Sequence, residues 1–226
     1  MTFDNNWETG IYSEQKQINK FPFDWVVSTV NRIFPNSINE RSNSALELGC
    51  GTGNNLKFLS EFGFNFVHGI DGSPSALDLA REHLKDCDGN IKLTSADFVS
   101  IPEENSVYDL ALDRGSITHN NFESCSSILD EIYRVLKPGG YLVSAMFSSS
   151  HSAVLSADFI SRSHYNAFQS ETDIEHGVKT SFFNITDIFE LLSKFEFLSC
   201  VQSANEEMIG TPSRSVLWNV IAKKPL

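Results

Sequence analysis

The chain is poor in cations, poor in proline and free of closely spaced cysteines. Its 226 residues hold 17 Lys+Arg against 29 Asp+Glu, a net charge of −12. A protein gripping duplex nucleic acid by its phosphates would meet long-range repulsion at that charge, so no nucleic-acid partner is expected. A small or cationic ligand is the easier fit. The 4 cysteines, Cys50, Cys87, Cys125 and Cys200, form no C-x-x-C pair and no Cys/His cluster. That pattern excludes a disulfide scaffold, indicates no metal, and implies reduced thiols in a cytoplasmic protein. No apolar run approaches the ~18 residues of a membrane span. The opening MTFDNNWETG lacks the basic and apolar regions of a secretory signal. What remains is one globular domain, since ~200 residues bury an adequate core without staples.

From residue 44 onward, apolar runs of strand length alternate with amphipathic segments, the pattern of a parallel sheet in an α/β fold. Strands are predicted at 44–49, 65–70, 90–95, 107–112 and 140–147. Two more follow, near 196–204 and 215–223, split by a loop with Gly210 and Pro212. Ser73 and Pro74 cap and open a helix whose Leu77, Ala80 and Leu84 share a face. Cys125, Ile128, Ile132 and Leu136 form the next stripe, which Lys137-Pro138-Gly139-Gly140 stops. Asn184 and Asp187 suit a cap and its N3 acid ahead of Ile188, Leu191, Leu192 and Phe195.

Two segments stand outside this alternation. Residues 1–43 read as a loop and a helix opened by Pro22, with Trp25, Thr29 and Ile33 on one side. Residues 148–183 are serine-rich, carry His151, His164 and His176, and have no clean period. Both are lid candidates, because such additions sit over the functional edge of an α/β sheet. The chain thus divides into a leader (1–43), a core (44–147), an insertion (148–183) and a closing helix with two strands (184–226).

The chemistry concentrates in ALELGCGTGNN, residues 45–55. A strand ends, the chain turns on Gly49, Gly51 and Gly53, and a helix begins near Asn54 and Asn55. Such glycines let a ligand approach the main chain, and the free N–H groups of the helix start face the crevice. Glu47 sets a carboxylate in the strand's last turn, where a dinucleotide-binding turn is apolar, and the third glycine of G-x-G-x-x-G is missing. Asp71, in GIDGS, closes the next strand about 18 residues on, where a ribose-binding acid belongs. Its alternative role is to cap the helix after Ser73. Asp97 reads either as a ligand-side acid or as a turn residue before Phe98. Cys50 is a small residue in the turn with no nucleophilic role.

In order, these motifs resemble the class I S-adenosylmethionine-dependent methyltransferases. ALELGCGTGNN is similar to that family's first motif, and GIDGSP (69–74, with Gly72) to its ribose-binding acidic loop. TSADF (94–98) resembles the loop whose acid meets the adenine amino group. YDLALDRGSITH (108–119, with Asp113) resembles the fourth strand and its substrate-facing loop, and EIYRVLKPGGYLVSAMF (131–147) the closing helix and fifth strand. The resemblance implies a Rossmann-like seven-stranded sheet of order 3-2-1-4-5-7-6, strand 7 antiparallel, with helices on both faces. It also implies S-adenosylmethionine as cofactor, S-adenosylhomocysteine as product, and a cofactor site of Glu47, Gly49, Cys50, Gly51, Gly53, Asn54, Asn55, Asp71, Gly72, Ser73, Asp97, Phe98, Asp113 and Arg114. The leader WETGIYSEQKQINKFPFDWVV resembles that of bacterial small-molecule methyltransferases linked to cell-surface sugars.

Methyl transfer from sulfonium is an in-line displacement, so alignment and exclusion of water carry most of the catalysis. A base is required only if the acceptor must lose a proton. The acceptor is expected at Asp113–His119, a loop without the Asn/Asp-Pro-Pro-Tyr/Phe tetrad of enzymes that methylate nitrogen on nucleobases or glutamine. There His119 is either a base or orienting group, suited by an unperturbed pKa of about 6.5, or a surface histidine opening the next helix. Arg114 suits an anionic acceptor group. His151 and Tyr12 are further acceptor-side candidates, and Trp7 and Tyr12 either close over the cofactor or pack the leader down. Expected, then, is methylation of an O or N atom of a small molecule, a sugar precursor among them, by a monomer or homodimer without membrane partners. A non-catalytic cofactor-binding module and a nicotinamide-dependent oxidoreductase are the competing classes.

Overall fold

The computed structural model describes residues 3–36, 42–166, 177–209 and 213–226. His176, Gly210 and Pro212 lie outside them. The apolar runs of the core form β1 (Ser44–Leu48), β2 (Phe66–Asp71), β3 (Ile91–Ser95), β4 (Tyr108–Arg114) and β5 (Leu136–Phe147), all mutually parallel. Short strands β6 (Asp158–Ser161), β7 (His164–Asn166) and β8 (Thr180–Ser181) make a separate small sheet, and β9 (Glu196–Glu207) and β10 (Ser213–Lys223) complete the large one. The large sheet has the order β3-β2-β1-β4-β5-β10-β9, with β10 antiparallel to both neighbours. This is the expected seven-stranded order with its last strand reversed, the final labels displaced by the three short strands.

Helices cover both faces. On one lie α1 (Asp24–Ile33), α2 (Asn54–Phe62) and α3 (Pro74–Leu84), against Ala45, Val67, Leu110 and Val143. On the other lie α4 (Phe122–Val135) and α5 (Ile185–Leu191), against Leu46, Leu48, Ile70 and Met146. Ala45 and Leu46 are adjacent yet belong to opposite cores, because side chains alternate across a strand. Central strands such as β1, buried on both sides, read as apolar runs, whereas β3 lies at the sheet edge with no buried residue.

Four local expectations need correction. Lys137–Gly140 does not precede β5 but lies within it as an irregularity, where pairing with β4 jumps from Tyr108↔Leu136 to Leu110↔Tyr141. The side chains buried from α1 are Val26, Thr29 and Val30, with Trp25 and Ile33 only partly covered. The leader contains a π-helical turn, Trp7–Tyr12, tied by Ser13 N to Glu8 O and Lys16 N to Ile11 O. Such turns are rare and concentrate at functional sites. Finally, the serine-rich insertion carries the small sheet, whose strands are too short to leave a readable period.

The caps lie where they were read. Ser73 Oγ accepts from Ala76 N, and Asn184 and Asp187 form a reciprocal capping box at α5. Asn184→Ala is expected to lower unfolding free energy by about 1 kcal/mol. Chemical denaturation should register this as an earlier midpoint at unchanged slope; an unmoved midpoint would refute the cap's contribution.

Candidate active site

At the carboxyl end of β1 the chain reverses on Gly49 (φ 64°) and Gly51 (φ 51°), a conformation that L side chains avoid. The amides of Gly49 and Cys50 both donate to Ile70 O, at 2.7 and 3.1 Å, locking the turn to the end of β2. Close neighbours bar side chains there as well. A Cβ on Gly49 would collide with the Ser116 side chain, and one on Gly51 would lie 2.7 Å from the Tyr12 hydroxyl. A cavity of about 420 Å³ opens beside this turn, within the range of small-ligand sites.

The turn's polar side chains reach outward to the leader. Thr52 Oγ1 donates to Asn19 O (2.7 Å) and Asn54 Nδ2 to Phe21 O (2.9 Å), while Asn55 Oδ1 accepts from Phe23 N (3.2 Å). Further up the leader, Glu8 accepts from Ser73 Oγ, Ser75 N and Ser75 Oγ at the start of α3. Asn6 Nδ2 donates to Gly177 O in the insertion (2.7 Å). Residues 3–23 therefore form a strap from the insertion across the turn. No helical or strand period signals such a strap, which is why its anchors were missed.

Of the four expected site acids, Glu47, Asp71, Asp97 and Asp113, the first three line the cavity, as does Asp4 of the leader. Burial pushes the Glu47 carboxyl up to about 8; its hydrogen bond from Asn55 Nδ2 (2.7 Å) opposes this, and the Asp113 and Asp71 charges add to it. Glu47 Oε2 is buried without a hydrogen-bond partner. Asp71 accepts from Gly51 N and Ser73 N, both at 2.9 Å, and burial still raises it to about 6. Its placement joins the turn, the second strand and the cap in one contact. Asp97 stands with Phe98 on the cavity wall and accepts from Val99 N at 3.3 Å.

Three expected site residues lie behind the wall instead. Asp113 is fully buried, accepting from Ser116 N, Ile117 N and Ser144 Oγ. It shapes the loop after β4 rather than facing the cavity. Gly53 caps α2 against Leu84, and Ser73 is engaged as the α3 cap. Gly49, Cys50, Gly51, Asn54, Asn55 and Gly72 do line the cavity.

His119 and His151 come together with Trp7 and Phe147 through ring contacts, and Arg114, Ser215 and Leu217 line the same cavity. The Arg114 guanidinium lies over the Phe23 ring, 4.4 Å from its centroid. The expectation of a near-neutral His119 is corrected: burial lowers it to about 4, against a hydrogen bond to the Lys179 main chain. Its Nδ1 faces Thr180 Oγ1 at 3.2 Å and its ring meets Trp7 edge-on at 4.8 Å. Buried and held by Thr180 and the Lys179 main chain, it is a poor proton acceptor for a substrate. His151 caps a short helical turn, its Nδ1 accepting from Ala153 N at 3.1 Å, which leaves the neutral ring's proton on Nε2. Tyr12, expected at the acceptor, is buried against Gly51 on the turn side. His164 pairs with Ser181 Oγ away from the cavity wall.

In an open doubly wound sheet, a crevice beside a glycine turn at the carboxyl ends of the strands is where ligands bind. Residues 45–140 match the family model described as a methyltransferase domain. Human EEF1A lysine methyltransferase 2 is 33% identical over 107 residues, covering 44% of this chain and 45% of the relative. Demethylmenaquinone methyltransferase of Lactococcus lactis is 34% identical over 103 residues, covering 44% and 40%. The chain thus spans less than half the length of each. Among solved structures, an S-adenosylmethionine-dependent methyltransferase from Methanosarcina mazei superposes with a TM-score of 0.67 at 20% identity, covering 91% of this chain and 99% of that one. The cyclase SpnF superposes at 0.62 and 14% identity, covering 88% and 80%. Residues 45–140 thus match a methyltransferase domain, and the chain shares its fold with S-adenosylmethionine-dependent methyltransferases.

The raised Glu47 carboxyl has a measurable consequence. Burial that raises it to about 8 favours the protonated form at neutral pH, and a bound cation favours the carboxylate, so binding should expel that proton. Affinity for S-adenosylmethionine is expected to climb as pH rises toward 8 and then level off. Calorimetry in two buffers of different ionisation enthalpy should give different heats at pH 7, and Glu47→Gln should make them equal. Equal heats in the native chain would refute it.

Proposed function

We propose that the chain binds S-adenosylmethionine across the glycine turn and passes its methyl group to an oxygen or nitrogen of a small-molecule acceptor. The observation that carries this reading is Glu47 Oε2, a buried acceptor without a donor on the cavity wall. It suits a ligand bearing a cation. A nicotinamide dinucleotide would bring phosphates to the same turn, so the oxidoreductase reading is disfavoured. When bound, the cofactor supplies a methyl group on a positively charged sulfur.

The chain's own residues supply binding, alignment and dryness. In this reading the turn through Gly49 and Gly51 offers its main chain to the ligand, Asp71 serves the ribose hydroxyls, and Asp97 and Phe98 the adenine. Trp7 and Phe147 shield the transfer site from water, and holding acceptor and methyl in line there lowers the barrier without a base. His119 acts as a positioning residue that ties the loop after β4 to the insertion. Arg114, the one Arg or Lys on the wall among the described residues, would receive a carboxylate or phosphate of the acceptor. A carbohydrate precursor with such a group falls within this class. The leader and insertion belong to the same domain as the core and complete its acceptor side.

A second reading is favoured by the likeness to SpnF: the fold also carries other chemistry, and so does not by itself require methyl transfer. Methyl-labelled S-adenosylmethionine with a metabolite extract separates the two. Label in a small-molecule fraction supports the transferase, whereas tight cofactor binding with no label supports a module that binds without turnover. Once an acceptor is found, Arg114→Leu is expected to raise its KM about tenfold and leave S-adenosylhomocysteine affinity unchanged. His119→Ala should retain turnover at saturating acceptor; a fall of about a hundredfold would restore the role of base.

A further inference from the structure

Among the described residues, two buried side-chain atoms lack a hydrogen-bond partner: Glu47 Oε2 and Gln17 Oε1. Both are acceptors, and both residues line the same cavity. Native proteins rarely leave buried polar atoms unmet, and two such residues lining one cavity call for a donor supplied from outside the chain. Glu47 arrives from the end of β1. Gln17 arrives from the strap, an unrelated stretch of chain that the turn itself holds in place.

That hold is specific. Thr52 and Asn54 grip the carbonyls of Asn19 and Phe21, just beyond Gln17. Tyr12 packs on Gly51 just before it, and Gln15 takes a left-handed conformation (φ 53°) that redirects the chain between these anchors. Gln17 thus sits between two fixed points with its amide oxygen closed off from solvent. A donor that satisfies an amide oxygen and a carboxylate oxygen together needs several N–H groups and gains from positive charge. An ammonium group offers three donors and that charge. Asp71, Asp97 and Phe98 mark the nucleoside portion of the wall, so the ammonium in question is the one on the methionyl end.

We propose that Gln17 Oε1 joins Glu47 Oε2 in receiving the α-ammonium group of S-adenosylmethionine, which makes the strap part of the cofactor site. The inference rests on the cofactor reading above and adds to it a residue outside the matched domain, 45–140. It follows that an amino-acid-bearing ligand pins the strap. Because the strap also reaches Gly177 through Asn6 and meets His119 through Trp7, cofactor binding then orders the acceptor wall.

The test compares S-adenosylhomocysteine, which carries the ammonium, with 5′-methylthioadenosine, which keeps the nucleoside and lacks the amino-acid end. Calorimetry on the full chain should find that Gln17→Met weakens S-adenosylhomocysteine about tenfold and leaves 5′-methylthioadenosine within about twofold. Gln17→Glu, which keeps an acceptor oxygen, should retain S-adenosylhomocysteine. Hydrogen exchange in residues 12–23 should slow with S-adenosylhomocysteine and not with 5′-methylthioadenosine. Unchanged binding by Gln17→Met, equal loss of both ligands, loss in Gln17→Glu, or equal protection by both ligands would each overturn the proposal. If the native chain binds neither ligand, the cofactor reading itself fails, an outcome distinct from all of these.

Discussion

Two main-chain amides on one carbonyl, Gly49 N and Cys50 N on Ile70 O, set the geometry on which the rest of the site depends. They bring the end of β1 against the end of β2 and force the positive φ angles that only glycine adopts without strain. Asp71 then closes the assembly by accepting from Gly51 N and Ser73 N, so one carboxylate braces both the turn and the start of α3. The crevice beside the turn is a consequence of this brace and of the parallel order of the sheet, which leaves the carboxyl ends of the strands facing one way.

Electrostatics in this crevice follow from burial more than from net charge. The acidic composition favours cationic ligands at long range. Inside, however, Glu47, Asp71 and Asp113 are all pushed upward by desolvation. Asp71 and Asp113 offset that penalty with main-chain and hydroxyl donors, whereas Glu47 has one donor for two oxygens. A carboxyl group kept partly unsatisfied in a cavity is primed for a partner that the chain does not contain.

The aromatic part of the cavity lining is built differently. Trp7, Phe147, His119 and His151 come from the leader, the end of β5, the loop after β4 and the insertion, and they meet through ring contacts. Both histidines are lowered by burial, and both have a ring nitrogen engaged within the fold. They act as neutral walls. Such a surface suits a transfer driven by alignment and exclusion of water.

Strands buried on both faces, caps such as Ser73 and Asn184, and the glycine turn were legible because each is a local pattern: an apolar run, a capping pair, a residue type that alone tolerates positive φ. The order of the sheet was legible only through family resemblance, since spacing does not encode which strands pair. Local pattern also fails to separate a residue on a wall from one behind it. Asp113 and Asp71 end neighbouring motifs in the same way, yet hydrogen bonds from Ser116, Ile117 and Ser144 turn the first inward while the second borders the cavity. His119 looked like a near-neutral base because its environment, Thr180 and Trp7, lies 61 and 112 residues away along the chain. The sequence by itself therefore determined the strands of the large sheet, their helix caps and the glycine turn, which rest on short-range stereochemistry, while the cofactor class came, like the strand order, from the resemblance. Only the tertiary structure decided which acids stay unsatisfied, where the leader lies and how the histidines are charged, because burial and long-range hydrogen bonds come into being only when distant segments pack.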